Sequence, residues 1–156
     1  MSKSLNRVKA ALAAADIAAD IREMSDSTRT AEDAARAVGC VVDQIAKSII
    51  FRGEETGHIV LFLTAGGNRV DTARATATAG QPLGKADAAL IRAETGFAIG
   101  GVAPVGHLRP VTAFLDPRLQ DFEMVWAAAG TPRHVFAIRP ADLLRLTGAQ
   151  VAPFTA

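Results

Sequence analysis

The chain has 156 residues, of which 49% are hydrophobic and 21% are charged, and its formal net charge is +1. This composition is typical of a compact globular protein and excludes a disordered chain, and the length fits a single domain over residues 1–156. The near-neutral charge excludes a global field that attracts polyanions, so any contact with nucleic acid must come from a local patch.

Cysteine content and hydropathy exclude three further classes of protein. The only cysteine, Cys40, cannot form an internal disulfide, and metal centres built from several cysteines are excluded with it. No segment approaches the ~20 apolar residues of a membrane span, and residues 1–7 lack the apolar core of a signal peptide. We therefore expect a cytoplasmic protein that uses no metal, no cofactor and no membrane partner.

The chain begins with an alanine-rich segment whose apolar residues lie three and four positions apart, at Leu5, Val8 and Leu12. This spacing places one apolar stripe along a helix over residues 4–15, which Ser4 can cap. A short alternation of apolar and polar residues then predicts a strand over residues 16–24, and a polar loop follows over residues 25–29.

A second helix is predicted from the signals at its two ends. Residues 30–33, Thr-Ala-Glu-Asp, have the capping-box form, in which a hydroxyl and a carboxylate accept hydrogen bonds from free backbone N–H groups. The helix then continues to Val38 and ends at Gly39. From residue 45 the apolar period becomes that of strands, which predicts a hairpin of residues 46–51 and 58–64 joined by a turn.

The second half of the chain contains helices and strands in alternation. Helices are predicted over residues 70–79, opened by Asp71, and over residues 87–95, capped by Asp87 and ended by Gly96. Three further strands are predicted over residues 111–115, 123–128 and 134–138, and a last helix begins at Pro140 and ends at Gly148. This order predicts an α+β domain with a mixed, barrel-like β-sheet flanked by short helices, and not a regular βαβ series.

Residues 96–107, with the sequence Gly-Phe-Ala-Ile-Gly-Gly-Val-Ala-Pro-Val-Gly-His, form the most unusual segment of the chain, which we call the glycine segment. Its four glycines permit positive φ and let a ligand or another part of the chain approach bare N–H groups. The segment can form the rim of a binding site, or simply a bulge and a tight turn between strands. It lacks the G-x-G-x-x-G fingerprint of a dinucleotide site.

Lys47 lies inside a predicted strand, where a period of two places it on the same face as Ile49 and Phe51. Two interpretations are open. Lys47 can extend along its own methylenes to water near the end of the strand. Alternatively, it lines a largely apolar pocket and meets an anion or a polarised carbonyl there, because a buried charge requires a partner.

The three histidines differ in what they could contact. His58 begins a strand after a turn and is expected to face solvent, whereas His107 and His134 each follow a turn and could reach a ligand or bond to their own loops. No Ser/His/Asp order, H-E-x-x-H motif or P-loop is present, which excludes a serine triad of known order, a zinc protease centre and a nucleoside triphosphate site.

Four blocks of the sequence, taken together and in order, resemble the YbaK/prolyl-tRNA synthetase-associated editing-domain family. They are residues 44–51, 68–71, 95–107 and 126–132. The resemblance covers nearly the whole chain, and its most specific parts are the strand lysine and the G-G-V-x-P-x-G-H stretch. It implies a freestanding trans-editing deacylase that hydrolyses the ester between a wrong amino acid and a tRNA, on a barrel-like mixed sheet flanked by helices.

The resemblance also implies roles for individual residues. Lys47 would hold the 3′ end of the aminoacyl-tRNA or the ester itself, and the backbone at Gly100 and Gly101 would border the scissile carbonyl and stabilise an oxyanion. An ordered water or a group of the substrate would attack, since no side-chain general base is evident. The implied substrate-binding residues are Ile21, Met24, Gly106, His107, Gly130 and His134.

Two departures from the family shape the expected substrate. The chain has no tyrosine, whereas family members that act on cysteinyl-tRNA are expected to carry one in the early strand, near Ile21 and Met24. We therefore expect alanine or a similarly small aliphatic residue in preference to cysteine, on tRNA-Pro. The near-neutral charge leaves the tRNA body to scattered basic residues, namely Arg29, Arg69, Arg74 and Arg133, or to a partner such as prolyl-tRNA synthetase. The alternatives are a non-catalytic adaptor that binds tRNA or a synthetase, and a structural partner of a synthetase.

Overall fold

The fold is described from a computed structural model, which covers residues 2–18, 20–25 and 30–156. Its helices are α1 (Lys3–Ala14), α2 (Ala31–Val38), α3 (Thr72–Ala79), α4 (Ala88–Thr95) and α5 (Pro140–Thr147). Its strands are β1 (Asp20–Glu23), β2 (Ala46–Gly53), β3 (Ile59–Ala65), β4 (Leu83–Lys85), β5 (Thr112–Leu115), β6 (Val125–Ala128), β7 (His134–Ile138) and β8 (Gln150–Val151). Two short 3₁₀ helices lie at Val42–Gln44 and Pro117–Asp121.

The described strands form two sheets. The larger sheet has the order β4-β2-β3-β5-β8; β2 is antiparallel to β3 and β4, whereas β5 is parallel to β3 and β8. The smaller sheet, in the order β1-β7-β6, is antiparallel throughout. A bridge between Ile45 and Trp126 joins the two sheets, and the described strands do not close into a barrel. The predicted α+β class with a mixed sheet is confirmed.

Strand β3 lies in the middle of the larger sheet and is buried on both faces. Leu61 and Leu63 pack into the main core with residues of α1, α4 and the smaller sheet. On the opposite face, Val60 and Phe62 pack into a second cluster, where the Phe62 ring lies 4.8 Å from the Phe154 ring and 5.4 Å from the Phe114 ring. All seven residues of β3 are buried, as expected for a central strand covered on both sides.

The predicted helix boundaries are confirmed where side chains cap them. The side chains of Thr30, Asp71 and Asp87 accept backbone N–H groups at the starts of α2, α3 and α4. Glycines in the left-handed conformation end α2, α3, α4 and α5, where a residue with a side chain would be strained. Helix α1 differs from the prediction, because the Ser2 hydroxyl, and not that of Ser4, accepts the Leu5 N–H at 3.2 Å.

The other differences are short elements and shortened strands. The strand predicted over residues 16–24 is limited to Asp20–Glu23, because the turn that ends α1 continues to Asp16, which has a positive φ of 57°. Residues 26–29 of the predicted loop lie outside the described residues. Strands β4 and β8 and both 3₁₀ helices were not predicted, because they are two to five residues long and carry no periodicity of their own. None of the described helices has both the length and the apolar character that crossing a membrane requires.

Candidate functional site

A cavity of about 420 Å³ lies where the two sheets meet. The first residues of β2 and the last residues of β6 form its floor, and the start of α2, the glycine segment and the loop before β7 form its walls. Most of its lining is aliphatic, and its polar side chains include those of Thr30, Lys47, Ser48, Thr131 and His134. The cavity therefore offers a few polar groups in an apolar setting, which is the usual character of a small-molecule site.

Lys47 lines this cavity, and its ammonium group Nζ donates a hydrogen bond to the backbone carbonyl of Asn68 at 2.8 Å. No carboxylate of the described residues lies within 4 Å of Nζ. Burial lowers the pKa of the Lys47 ammonium, and the nearby Glu32 carboxylate partly offsets this shift. The lysine is thus a partly desolvated cation with spare donors and no ion-pair partner in the described structure.

The carbonyl that receives Lys47 is itself held in place by a buried carboxylate. The Asn68 side-chain amide donates to Asp116 Oδ2 at 2.9 Å, and the same oxygen accepts the Ala65 N–H at 3.1 Å. The other oxygen of Asp116 accepts the Arg118 N–H at 2.9 Å. Asp116 is only 2% exposed. The sequence did not predict this support for Lys47. Asp116 is followed by Pro117, and this pair indicates only the end of a strand.

The glycine segment reaches the cavity through Gly100, which has a positive φ of 95° and lines the wall. None of the backbone hydrogen bonds among the described residues uses the Gly100 N–H, whereas the Gly101 N–H donates to the Ala98 carbonyl at 3.2 Å. The Ser48 hydroxyl donates to the Val102 carbonyl at 3.0 Å and so ties the segment to β2. The Gly100 N–H is therefore one of the backbone donors at the cavity that these hydrogen bonds leave unused.

Gly101 is buried behind this wall, against the loop that precedes β7. A Cβ atom at position 101 would lie 2.8 Å from the backbone carbons of Thr131, closer than real Cβ contacts allow. The absence of a side chain at Gly101 therefore allows the glycine segment and the Thr131 loop to touch, and the two segments close one side of the cavity together.

His134 begins β7 and lies in a row of three polar groups. Its Nδ1 and the Thr131 hydroxyl share a hydrogen bond of 2.6 Å, and its Nε2 lies 3.7 Å from the Glu23 carboxylate. Both His134 and Thr131 line the cavity. The contacts of Thr131 and Glu23 with His134 could not be predicted from the sequence, because the three groups come from a loop, β1 and β7. The row can orient a hydroxyl group at the cavity.

Several residues expected to bind substrate lie elsewhere. Gly106 and His107 line a second cavity of about 410 Å³, and His107 Nε2 donates to the Ala103 carbonyl at 2.7 Å. Ile21 lines a third cavity, which it shares with His134. Met24 is buried with Trp126 in a small cluster beside α2.

Gly130 is a packing position beside α1. It has a positive φ of 95°, and a Cβ atom there would lie 2.8 Å from the Ser4 carbonyl oxygen. The structure thus brings Lys47, Gly100 and His134 into one cavity and places Gly101 in contact with its wall.

The basic residues expected to meet tRNA are exposed where the structure describes them, at Arg69, Arg74 and Arg133. Arg69 follows Asn68, whose carbonyl receives Lys47, and Arg133 lies between the cavity residues Pro132 and His134. Arg29 lies outside the described residues. No group of three or more His, Cys, Asp or Glu side chains in the described part of the chain is arranged to hold a metal ion.

The stability of the folded protein should depend on pH through His107. Burial lowers the pKa of the His107 imidazole below its usual value, so the folded state favours the neutral ring. The unfolded chain then binds more protons, and the stability contribution is complete above the unfolded pKa of about 6.5 and lost as pH falls through the folded pKa. We expect the thermal midpoint to fall between pH 7.5 and pH 5, and to fall less in His107→Gln.

The measurement is thermal unfolding of both proteins across that pH range. Other groups that respond to acid are common to both proteins, so their effect cancels in the difference between the two. An identical pH dependence in the two proteins would show that His107 does not contribute.

Comparison with known proteins identifies the family. The model of the aminoacyl-tRNA editing domain matches residues 25–146 of the chain. Protein YwhH of Bacillus subtilis, which is uncharacterised, is 30% identical over 132 residues, which are 85% of this chain and 83% of that protein. Protein EbsC of Enterococcus faecalis, whose name proposes deacylation of Cys-tRNA(Pro) and Cys-tRNA(Cys), is 25% identical over 84% of this chain and 80% of its own length.

A crystal structure shows the same fold over the full length of the chain. It is that of a protein described as a proposed trans-editing enzyme for prolyl-tRNA synthetase, and it is 48% identical with a TM-score of 0.92. The superposition covers 100% of this chain and 99% of the other. The enzyme class predicted from the four sequence blocks is that of the aminoacyl-tRNA deacylases. The chain therefore belongs to the aminoacyl-tRNA editing domain family.

Proposed function

We propose that the chain is a freestanding trans-editing enzyme that hydrolyses the ester of a small non-cognate amino acid, alanine or a similar small aliphatic residue, on mischarged tRNA-Pro. The observation that carries this proposal is Lys47, a desolvated cation with no carboxylate partner in the described structure, which shares an apolar cavity with the free N–H of Gly100. An editing enzyme requires such a cavity beside a group that attracts the aminoacyl end of a tRNA.

The need for such an enzyme follows from the limits of synthetase specificity. A synthetase pocket cannot strongly exclude an amino acid smaller than its own substrate, because a missing methylene changes binding by only ~1–3 kcal/mol. A second, smaller pocket that hydrolyses the wrong ester then supplies the missing discrimination. The crystal structure described as a proposed trans-editing enzyme for prolyl-tRNA synthetase supports the choice of tRNA-Pro, and prolyl-tRNA synthetase as the partner.

The cavity residues suggest how the ester is cleaved. The Lys47 ammonium attracts the 3′ end of the aminoacyl-tRNA or polarises the ester carbonyl, and the Gly100 N–H donates to the oxygen that becomes negative in the transition state. A water molecule attacks the carbonyl carbon, and the bond between that carbon and the ribose oxygen breaks. The proton that the water loses goes to the ribose oxygen, which leaves a free amino acid and a tRNA with its terminal hydroxyl restored.

His134 is positioned to orient the reacting groups. Its hydrogen bond to Thr131 and its proximity to Glu23 fix the imidazole at the cavity, where it can contact a substrate hydroxyl or the attacking water. This role agrees with the expectation that His134 binds substrate, and it requires no serine nucleophile.

The lining of the cavity favours a small aliphatic amino acid. The walls around Lys47 include Ile45, Ile49, Ile91 and Val135, and the cavity contains neither a tyrosine nor a cysteine. An apolar wall of this kind favours burial of a methyl group. Because the name of EbsC points to cysteine esters, cysteinyl-tRNA is the informative competing substrate.

A panel of misacylated tRNAs tests the proposal. Alanyl, 2-aminobutyryl, cysteinyl and seryl forms of tRNA-Pro, with alanyl-tRNA-Ala as the control, are incubated with the protein, and loss of the ester is measured. We expect one small aliphatic ester to be hydrolysed at least ~10-fold faster than the cysteinyl ester, a ratio within the range that one methylene or its equivalent supplies.

Two other outcomes would change the conclusion. Preferential loss of the cysteinyl ester would assign the chain the substrate in the name of EbsC and would refute the aliphatic assignment. Measurable tRNA binding with no hydrolysis of any ester would identify a non-catalytic adaptor.

A further inference from the structure

Helix α1 lies outside residues 25–146, the part of the chain that the family model matches, yet it packs against the segment that borders the cavity. Most of its contacts are those of an ordinary amphipathic helix, with Val8 and Leu12 fully buried in the main core. Arg7 is different, because its side chain is directed to the glycine segment and not to solvent.

Arg7 bonds to both ends of this segment. Its Nη2 donates to the Thr95 carbonyl at 2.9 Å, and its Nε donates to the Gly106 carbonyl at 3.2 Å. Its guanidinium carbon lies 4.5 Å from the centre of the Phe97 ring, within the range of a cation–π contact. One side chain therefore connects Thr95, the residue before the glycine segment, with Gly106, eleven positions further along the chain.

The charge of Arg7 is directed to these carbonyls. No carboxylate of the described residues lies within 4 Å of its guanidinium. Bonds from a charged donor are about twice as strong as neutral ones, and the rigid fork of a guanidinium fixes the direction of both. A lysine has one point charge on a flexible stem and cannot hold two carbonyls in fixed relative positions.

The glycines of the region accommodate this helix. A Cβ atom at Gly96 would collide with the Arg7 guanidinium, and one at Gly106 would lie 3.1 Å from the Arg7 carbonyl oxygen. Both glycines have positive φ, as does Gly100 between them. The conformation of the glycine segment and the position of α1 therefore depend on each other.

We propose that Arg7 is a positioning residue for deacylation, which fixes the glycine segment so that the Gly100 N–H is aimed into the cavity. This inference rests on the proposed function of the cavity. Arg7 contacts Thr95, Phe97 and Gly106, lies outside the lining of the Lys47 cavity, and acts on the reaction only through the segment it holds.

The test compares four variants by activity and by hydrogen exchange. Arg7→Ala removes the contacts, Arg7→Lys keeps only the charge, Lys3→Ala changes an exposed charge on the same helix, and Val8→Ala removes a buried side chain of α1 while leaving the Arg7 hydrogen bonds in place. We expect Arg7→Ala to lower kcat by ~10–100-fold with KM changed less than ~3-fold, because small misplacements of a catalytic group lower the rate far more than binding. Arg7→Lys should recover part of this loss, and Lys3→Ala should match the wild type.

Hydrogen exchange gives a second readout that needs no substrate. Amide exchange over residues 95–107 should accelerate in Arg7→Ala and stay near the wild-type rate in Val8→Ala, when each is measured well below its thermal midpoint. A kcat and an exchange rate in Arg7→Ala no different from those of Val8→Ala would overturn the proposal and leave Arg7 with a packing role alone. If the wild type hydrolyses no ester of the panel, the proposed function fails, and unchanged exchange over the segment would still refute the positioning role separately.

Discussion

Replacing Lys47 with alanine should abolish most of the deacylase activity, with kcat/KM reduced by ~100-fold or more. Removal of a single donor that stabilises developing charge typically costs a factor of this size. The Lys47 ammonium is the only cationic side chain among the described residues that line the cavity, since the other polar groups there are hydroxyls and an imidazole. The measurement is single-turnover hydrolysis of the preferred ester by wild type and Lys47→Ala.

Matched variants separate the charge from the side chain's shape. Lys47→Met keeps a long side chain without the charge and should be as inactive as Lys47→Ala, whereas Lys85→Ala, at an exposed lysine of the same sheet, should be unaffected. Full activity in Lys47→Met would remove the lysine from the mechanism.

The pH dependence of the rate follows from the environment of Lys47. Burial lowers the pKa of this ammonium below its usual 10.5, so the charged form is lost as pH rises through the lowered value. The rate should therefore decline on the alkaline side at a pH below 10.5. In Lys47→Arg the side chain stays charged, and any remaining activity should lack that decline.

Stability should change in the opposite direction to activity. Because the folded state lowers the pKa of Lys47, folding disfavours the charged form, and the unfolded chain binds the proton more tightly. Replacing the lysine with methionine removes this unfavourable burial, so Lys47→Met should be at least as stable as the wild type near neutral pH. A loss of activity without a loss of stability is typical of a functional residue that the fold accommodates at a cost.

The parts of the fold that could be predicted from sequence are those decided by local chemistry. Thr30, Asp71 and Asp87 cap helices because a short oxygen-bearing side chain can reach the free N–H groups of the next turn. Gly39 and Gly96 end helices because glycine, which has no Cβ, adopts the left-handed conformation without strain. Lys47 was predicted as a site residue for a similarly local reason, since the period of two in a strand placed a cation among apolar neighbours.

The parts that could not be predicted depend on contacts between distant segments. Strands β4 and β8 exist because they pair with the edges of longer strands, and their own residues carry no periodic pattern. Lys47 and Asp116 are 69 positions apart in the sequence, and Asn68 connects them by bonding to both. Such contacts follow from topology, which the sequence pattern alone does not supply.

Topology also decides which of the predicted site residues share the cavity. Gly106 and His107 belong to the same segment as Gly100, but the turn at Pro104 and Gly106 carries them to the far side of that segment, beside α1 and α5. A motif continuous in sequence therefore divides between two surfaces. Its first half borders the cavity, and its second half bonds to the helix that holds it.

Gly101→Ala should be nearly as damaging as the loss of Lys47, for a steric reason. The new methyl group would lie 2.8 Å from backbone carbons of Thr131, and neither backbone can rotate away as a flexible side chain would. We expect the free energy of unfolding to fall by about 1–3 kcal/mol, the usual cost of an inserted methylene in a packed region. We expect activity to fall by ~100-fold, because the glycine segment and the Thr131 loop, which carry Gly100 and His134, would separate.

Gly57→Ala is the control for this experiment, because Gly57 has a positive φ of 75° but open space around it. That variant carries conformational strain in the turn between β2 and β3 and should lose stability without losing activity. Gly101 has the opposite properties, a close contact without a positive φ, so comparison of the two separates strain from collision. If Gly101→Ala keeps wild-type activity, the contact with Thr131 is not needed for catalysis. If instead Gly101→Ala is inactive while Gly57→Ala is active, the collision of the new methyl group with the Thr131 backbone is the cause, and the close approach of the two backbones is what shapes the site.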